Sequence, residues 1–343
     1  MHNEKYMHRC LELASLGKGN VSPNPMVGAV LVCDDQIIGE GYHKEYGSAH
    51  AEVNAINSVQ NTDLLGRSTL YVNLEPCAHQ GITPPCADLI VQKGIPTVVI
   101  ANKDPNELVA GRGIARLKEA GVEVHCGILE KEGEELNRFF FTRHRLDRSY
   151  IVLKWAETAD GFIGRNSSTK SETRQISGKM SQIWLHQQRA EIDAILVGVN
   201  TVLEDNPALT TRLVPGKSPL RFVIDTKNRI PDNSRIIEDD LPVIVLSNRN
   251  EEGKNYKKVD CSEEGVYPCL LRLLNENQCL SLMVEGGAIT LRGFIEHNLW
   301  DEACVLHAHK VWVNGIPAPK LNLEPRSQTH LEDTELIQYL RPK

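Results

Sequence analysis

The chain has 343 residues, 41% of them hydrophobic and 24% charged, with a formal net charge of −7. That length suggests two globular domains, and the acidic balance argues against a nucleic-acid binder, which presents a basic face. No apolar run approaches the roughly 20 residues of a membrane-spanning helix, the polar start Met1–Tyr6 shows no export pattern, and nine cysteines without a disulfide-like spacing are expected to be thiols of a cytoplasmic protein.

From Asn3 to Gly17 the residues Tyr6, Cys10, Leu13 and Ala14 recur at helical spacing, so a helix is expected there, ended by Gly17 and Gly19. Ser22-Pro-Asn-Pro-Met-Val-Gly28 is a stiff loop that runs into an apolar strand, Ala29–Cys33. Asp34-Asp35 turns the chain and Gln36–Tyr42 returns as a second strand. The amide of Asn24, held between two prolines, could meet both a donor and an acceptor edge of a base, or could simply serve the turn.

His50-Ala51-Glu52 opens a predicted helix that runs to Val59. Thr69–Leu74 is the next strand and delivers Glu75-Pro76-Cys77; Cys86 follows after an eight-residue spacer and starts a helix ending near Gly94. One imidazole and two thiolates, from His50, Cys77 and Cys86, suit a tetrahedral zinc with one position open. Such a metal lowers the pKa of its water to roughly 7. Glu52 would not bind the metal; it would take the water's proton and pass it to a leaving amine. A cysteine at a helix start has its thiolate favoured, as a ligand requires. His-x-Glu with Pro-Cys and a second Cys is the signature of zinc nucleobase deaminases, where two residues separate the cysteines. Here the longer spacer must fold back, with Pro84-Pro85 stiffening its approach. The alternative is a closed structural zinc with His79 as a fourth ligand.

Thr97–Ala101 and Val122–Cys126 are expected as further strands, joined through the loop 104–113 and a helix Ile114–Ala120. Strands alternating with helices predict an α/β layered sheet, with ligands at the carboxyl ends of the strands. Ser22-Pro-Asn-Pro-x-Val-Gly28, His50-Ala-Glu52, Glu75-Pro-Cys-x-His79, Thr83-Pro-Pro-Cys86 and Asp104-Pro-Asn106 with Val109-Ala-Gly-x-Gly113 resemble the bacterial riboflavin-pathway deaminase, a member of the cytidine-deaminase-like fold. The resemblance implies a three-layer domain and one Zn2+. It implies a diamino-pyrimidinone carrying a ribosylamino 5′-phosphate as substrate, contacted by Asn24, His79, Asp104 and Asn106. The family's usual cation in the inter-cysteine loop is Ile82 here, which leaves Arg112 as the candidate partner for the phosphate.

Glu130–Arg145 is expected to be one charged helix bridging two halves, with Leu136, Phe139 and Phe140 on one face and the basic run Arg138–Arg145 solvated. In the second half, strands are expected at Tyr150–Trp155, Ala194–Gly198, Leu220–Asp225, Pro242–Ser247 and Leu280–Glu285, with a helix over Gly178–Ala190 and a loop or short helix over Thr201–Pro207. His307 and His309 are expected to alternate on the surface of a strand. Glu285-Gly286-Gly287 leads from a strand into a helix ending at His297, and glycines at such a turn let backbone N–H groups approach a phosphate. The pattern is not the G-x-G-x-x-G dinucleotide fingerprint.

Lys154-x-Ala-x-Thr-x-Asp-Gly161, Ile195-Leu-Val-Gly-Val-x-Thr201-Val with Asp205-Asn-Pro-x-Leu209-Thr-x-Arg212, Val223-Ile-Asp-Thr226 and Val284-Glu-Gly-Gly287 resemble the riboflavin-pathway reductase. That resemblance implies a dihydrofolate-reductase-like fold and NADPH, reducing the ribose of the deaminated pyrimidine to a ribityl chain. It implies that Ala156, Thr201, Asp205, Thr226 and the run Gly287, Ala288, Ile289, Thr290, Leu291, Arg292 and Gly293 face NADPH. Lys154, Thr173, Arg189, Leu209, Arg212 and Glu285 would face the substrate, with Lys154 or Glu285 placing the open-chain sugar. On residue type alone Arg189 could be a helix-surface residue and Asp205 a helix cap. Gln175 stands where the family usually has Trp. The expectation is a bifunctional enzyme, with a deaminase domain over 1–146 and a reductase domain over 147–343. Its partners are small molecules, with no nucleic acid or membrane, and base rate allows a homo-oligomer. A tRNA-editing deaminase with an accessory domain is the rival reading, opposed by the charge and the long cysteine spacer. A silent zinc module is a second, opposed by Glu52.

Overall fold

The computed structural model describes residues 3–78, 84–106, 110–165, 175–332 and 334–342. The chain divides into two compact units, Met1–Arg148 and Ser149–Lys343. His79, Ile82, Thr83, Val109 and Thr173, all named above, lie outside the described residues. Among the described residues, no helix is long and apolar enough to cross a membrane.

In the first unit α1 (Glu4–Ser15) starts from Asn3, whose side chain accepts the Lys5 N–H at 3.1 Å. The strands β1 (Gly28–Cys33) and β2 (Gln36–Tyr42) form a hairpin whose two turn residues, Asp34 and Asp35, both have positive φ. Then come α2 (Ala51–Ser58), β3 (Thr69–Leu74), α3 (Cys86–Gln92), β4 (Thr97–Asn102), α4 (Arg112–Glu119) and β5 (Glu123–Cys126). The sheet runs β2-β1-β3-β4-β5, antiparallel as far as β3 and parallel beyond it. The side-chain period of two splits its residues cleanly. Ala29, Leu31, Leu70, Val72, Val98 and Ile100 pack under α2, α3 and α4, whereas Val30, Val32, Tyr71, Val99 and Ala101 pack against α1. The result is helix, sheet and helix in three layers.

The expected single helix over Glu130–Arg145 is two, α5 (Glu130–Leu136) and α6 (Arg138–Leu146), broken at Asn137 with φ −100° and ψ 25°. The reason is tertiary. The buried Asn137 side chain accepts the Met26 N–H at 2.8 Å and donates to the Met26 carbonyl at 2.9 Å. Asn73 also donates to that carbonyl, at 3.0 Å. The Pro-Asn-Pro loop is thus pinned from two sides. The basic run on α6 is solvated at His144 and Arg145, and its arginines pair at the surface, Arg143 with Asp147 and Arg145 with Glu134.

The second unit is built on a ten-stranded sheet. Its parallel core runs, in spatial order, through 256–260, 243–247, 220–224, 194–198, 281–284, 150–158 and 302–308. The strand Tyr150–Thr158 outruns its neighbour: Val284 pairs with Leu153, and there Ser281–Val284 ends. Lys154 to Ala156 therefore project past the point where Glu285 begins the turn into the helix Ala288–Glu296. The stretch expected as a loop or short helix at Thr201 is a helix, Val199–Asp205. His307 is half-buried against Glu157 at 3.2 Å, and His309 lies beyond the end of the strand Glu302–Ala308, so the two do not alternate on one surface strand. One cysteine expectation is corrected: Cys261 and Cys269 form a disulfide, because the turn into the helix Val266–Glu276 brings their Cα atoms to 5.6 Å.

Asn137→Ala removes both bonds to Met26 while leaving Asn73 in place. The first unit is expected to lose about 1–3 kcal/mol, read as a lowered midpoint in calorimetry; an unchanged midpoint contradicts the clamp.

Candidate functional site

Three donors meet in the first unit. His50 is the extended residue that caps α2, Cys77 follows β3 on its loop, and Cys86 is the first residue of α3. Their ligand atoms all lie within 4.8 Å of one another. His50 Nδ1 is 3.2 Å from Cys86 Sγ and 3.6 Å from Cys77 Sγ. A tetrahedral zinc with ligand distances of about 2.3 Å to sulfur and 2.0–2.1 Å to nitrogen holds such donors roughly 3.5 Å apart. The residues present fit that ion. The Cys86 N–H also points at Cys77 Sγ, at 3.4 Å, and the Ala87 N–H donates to the Cys77 carbonyl. The hydrogen bond from Cys86, helped by His50, pulls the Cys77 thiol down to about 4. Cys86, which gives that bond and is buried, is pushed far up. The two sulfurs thus share one negative charge, and a dication would let both ionise. The Cys77 bond raises His50 against the pull of burial.

Glu52, in the first turn of α2, is 3% exposed. Burial first, and then the charge of Cys77, push its carboxyl up to about 7. Asn24 lies on the pinned loop, and its Nδ2 is 3.2 Å from Nε2 of His43. His43 Nδ1 donates to the Ala49 carbonyl at 3.1 Å, which leaves Nε2 of the neutral ring to accept from Asn24. Burial lowers its pKa in keeping with that. The His43 ring also stands edge-on to His50, at 5.6 Å. Sequence reasoning missed His43, because its partners are joined to it only through space. Asp104 Oδ1 accepts the Asn106 N–H at 2.8 Å, folding the short 104–106 turn. Arg112 is the exposed first residue of α4.

In the second unit the ledge left by the long strand becomes a cleft of ≈ 590 Å³. Lys154, Ala156, Thr201, Asp205 and Glu285 line it, as do Gly287, Ala288 and Leu291. Gly286 and Gly287 turn with φ of 139° and 77°, and a Cβ on Gly287 would sit 3.5 Å from Oγ1 of both Thr201 and Thr290. The turn thus keeps the backbone open to a ligand where other residues would be strained. Other predicted residues do not reach this lining. Thr226 and Ile289 are exposed, Thr290 packs on Gly198, Arg292 reaches the Pro317 carbonyl, and Gly293 faces the Tyr267 hydroxyl. The reason is helical: residues 287–293 wind nearly two turns, so only one face of the helix can meet the cleft.

Behind the cleft lies a buried charge cluster. Arg189 donates to both oxygens of Glu285, at 2.7 and 2.6 Å, and both side chains are under a tenth exposed. Burial alone would push Glu285 up, but Arg189 and then Lys154 outweigh it and hold the carboxyl below its ordinary range. Burial lowers Lys154, opposed by Glu285. Leu209 is buried, with φ 55°, and leads to Arg212, whose N–H donates to Nδ1 of His186 at 3.0 Å. His186 was also missed, although its place three residues before Arg189 on one helix was a usable signal.

The comparisons with known proteins follow this division. Residues 1–102 match the cytidine and deoxycytidylate deaminase zinc-binding region, and residues 149–333 match the RibD C-terminal domain. The chain is 39% identical to the riboflavin biosynthesis protein RibD of Aquifex aeolicus, over 94% of this chain and 91% of that one. Against RibD of Escherichia coli it is 35% identical, covering 91% and 89%. Among solved structures, it superposes on a diaminohydroxyphosphoribosylaminopyrimidine deaminase/5-amino-6-(5-phosphoribosylamino)uracil reductase from Thermotoga maritima with a TM-score of 0.89 and 36% identity, covering 99% of this chain and 98% of that one. The match to Acinetobacter baumannii RibD gives 0.91 at 31% identity, covering 99% of each.

Arg189→Met strands the Glu285 charge, and a loss of about 3–5 kcal/mol is expected in urea denaturation near neutral pH. The pH dependence has a definite sign. The folded carboxyl lies below the unfolded value of about 4.3, so the pair's contribution is complete above that pH and fades as pH falls through the folded value. The gap between wild type and variant should therefore shrink on acidification; a gap that is constant with pH contradicts the ion pair.

Proposed function

The chain belongs to the RibD family of riboflavin biosynthesis and is a bifunctional deaminase and reductase; on that premise we propose how its residues divide the two reactions. The matches run through both halves of the chain, and the tRNA-editing alternative has no support. The first unit is assigned the deamination of 2,5-diamino-6-ribosylamino-4(3H)-pyrimidinone 5′-phosphate. The second is assigned the reduction of the ribosyl chain of 5-amino-6-(5-phosphoribosylamino)uracil to ribityl. The observation that carries the first assignment is the convergence of His50, Cys77 and Cys86 beside a buried Glu52.

Zinc, when held by those three residues, supplies the Lewis acidity that activates a water at neutral pH. Glu52 does the proton work: it takes a proton from the attacking water and delivers it to the exocyclic nitrogen, which leaves as ammonia while the ring carbon gains oxygen. A carboxyl pushed up to about 7 is matched to exchanging protons in both directions near neutrality. Asn24, steered by His43, and the Asp104–Asn106 turn orient the pyrimidine.

In the second unit NADPH, when bound, supplies the hydride for the sugar carbon attached to nitrogen in the open-chain form. The Gly286-Gly287 turn leaves room for the coenzyme's pyrophosphate at a helix start. Lys154 and Glu285 face the cleft from its inner end and hold the open-chain sugar, while Arg189 fixes the Glu285 carboxylate in one orientation. Burial lowers the Lys154 pKa against the opposing charge of Glu285, which eases transfer of its Nζ proton to the nitrogen as the carbon–nitrogen unit is reduced.

Glu52→Gln keeps the size of the side chain and removes its proton chemistry. Ammonia release is expected to fall by roughly 10²-fold or more, while zinc content measured by plasma emission stays at one ion per chain. A variant that deaminates normally would remove Glu52 from the mechanism; one that loses its zinc would recast it as a structural support of the metal.

A further inference from the structure

The chemistry above leaves Glu75 unused, although it is buried at 4% exposure two residues before the ligand Cys77. Among the described residues its carboxylate accepts three bonds, each from a backbone N–H group of one distant stretch. Oε2 accepts from Asp104 at 3.3 Å and Gly111 at 3.0 Å, and Oε1 accepts from Ile114 at 3.1 Å. One carboxylate therefore ties Asp104, at the start of the 104–106 turn, to Gly111 and to the first turn of α4. The next residue adds an independent contact. A Cβ on Gly113 would lie 1.9 Å from the Pro76 carbonyl oxygen, so the start of α4 rests directly on the backbone that leads into Cys77.

We propose that Glu75 is a positioning residue for the deamination, setting the Asp104–Asn106 substrate loop against the metal ligand Cys77. The inference rests on the reading that Asp104 and Asn106 contact the pyrimidine. Its physical basis is a short covalent path. The atom that ties down the loop and the atom that would bind the metal belong to residues 75 and 77 of one chain segment, so substrate groups and metal keep a common frame. A carboxylate is required because only it accepts at both oxygens. A glutamine would turn an NH2 group toward Ile114 N–H or toward the N–H groups of Asp104 and Gly111. Either orientation breaks the clamp without changing side-chain volume.

The test uses full-length Glu75→Gln, compared with wild type and with Asn106→Ala. A loosened substrate loop removes binding that is shared by ground and transition states. The deaminase KM is therefore expected to rise at least about tenfold, with kcat changed less than about threefold. Zinc per chain and NADPH-dependent reduction of the already deaminated intermediate should match wild type, which certifies that the variant is folded. Gly113→Ala, which forces the same two segments apart, should reproduce the split between KM and kcat. If Asn106→Ala raises KM and Glu75→Gln does not, the positioning role is wrong and the substrate-loop reading stands. If neither raises KM, the substrate-loop reading fails and the proposal fails with it. If Glu75→Gln loses zinc or kcat at an unchanged KM, Glu75 serves the metal loop instead, and the proposal is overturned.

Discussion

Bringing one imidazole and two thiols to within 4.8 Å of one another is the constraint on which the first unit is built. Thiols repel when both are ionised, and burial penalises each charge separately. The fold answers by delivering the three groups from a helix cap, the loop that follows a central strand and the first residue of another helix. The parallel step from β3 to β4 puts the carboxyl end of β3, the Cys77 loop and the starts of α3 and α4 on one edge of the sheet. The same edge gathers Glu52 from α2. Polar side chains then hold the irregular segments: Asn137 and Asn73 hold the Pro-Asn-Pro loop, and Glu75 holds Asp104 and Gly111.

The second unit solves a different problem, a cleft that on the proposed reading places a coenzyme beside a polar sugar. Its opening follows from unequal strand lengths, Tyr150–Thr158 running past the end of Ser281–Val284. Behind the cleft, Arg189, Glu285 and Lys154 form a buried cluster in which one carboxylate faces two cations. Such a cluster contributes little net stability and is strongly destabilising when broken. Its value lies in orientation: a carboxylate bound at both oxygens by one guanidinium has a single pose.

Much of this was legible in the sequence where the signal was local. The ligand trio and Glu52 stand out because residue type and order carry the chemistry, and the strands of both sheets stand out by their apolar runs. What was illegible depends on partners far away in the chain. The break at Asn137 is set by Met26, 111 residues earlier. His43 and His186 gain their roles from Asn24 and Arg212. The Cys261–Cys269 bond needs a turn that spacing alone does not reveal. In the glycine-led run 287–293 the sequence pattern is continuous, whereas helical winding lets only part of it face the cleft.

The most direct test of the two-reaction account is a single coupled assay on purified, zinc-loaded, full-length protein. NADPH oxidation is followed after adding the un-deaminated pyrimidinone ribosylamino phosphate alone. The account predicts oxidation that begins only after a lag, tracks ammonia release, and starts without a lag when the deaminated compound is supplied instead. No NADPH consumption from either compound would contradict the assignment of the second unit as the reductase.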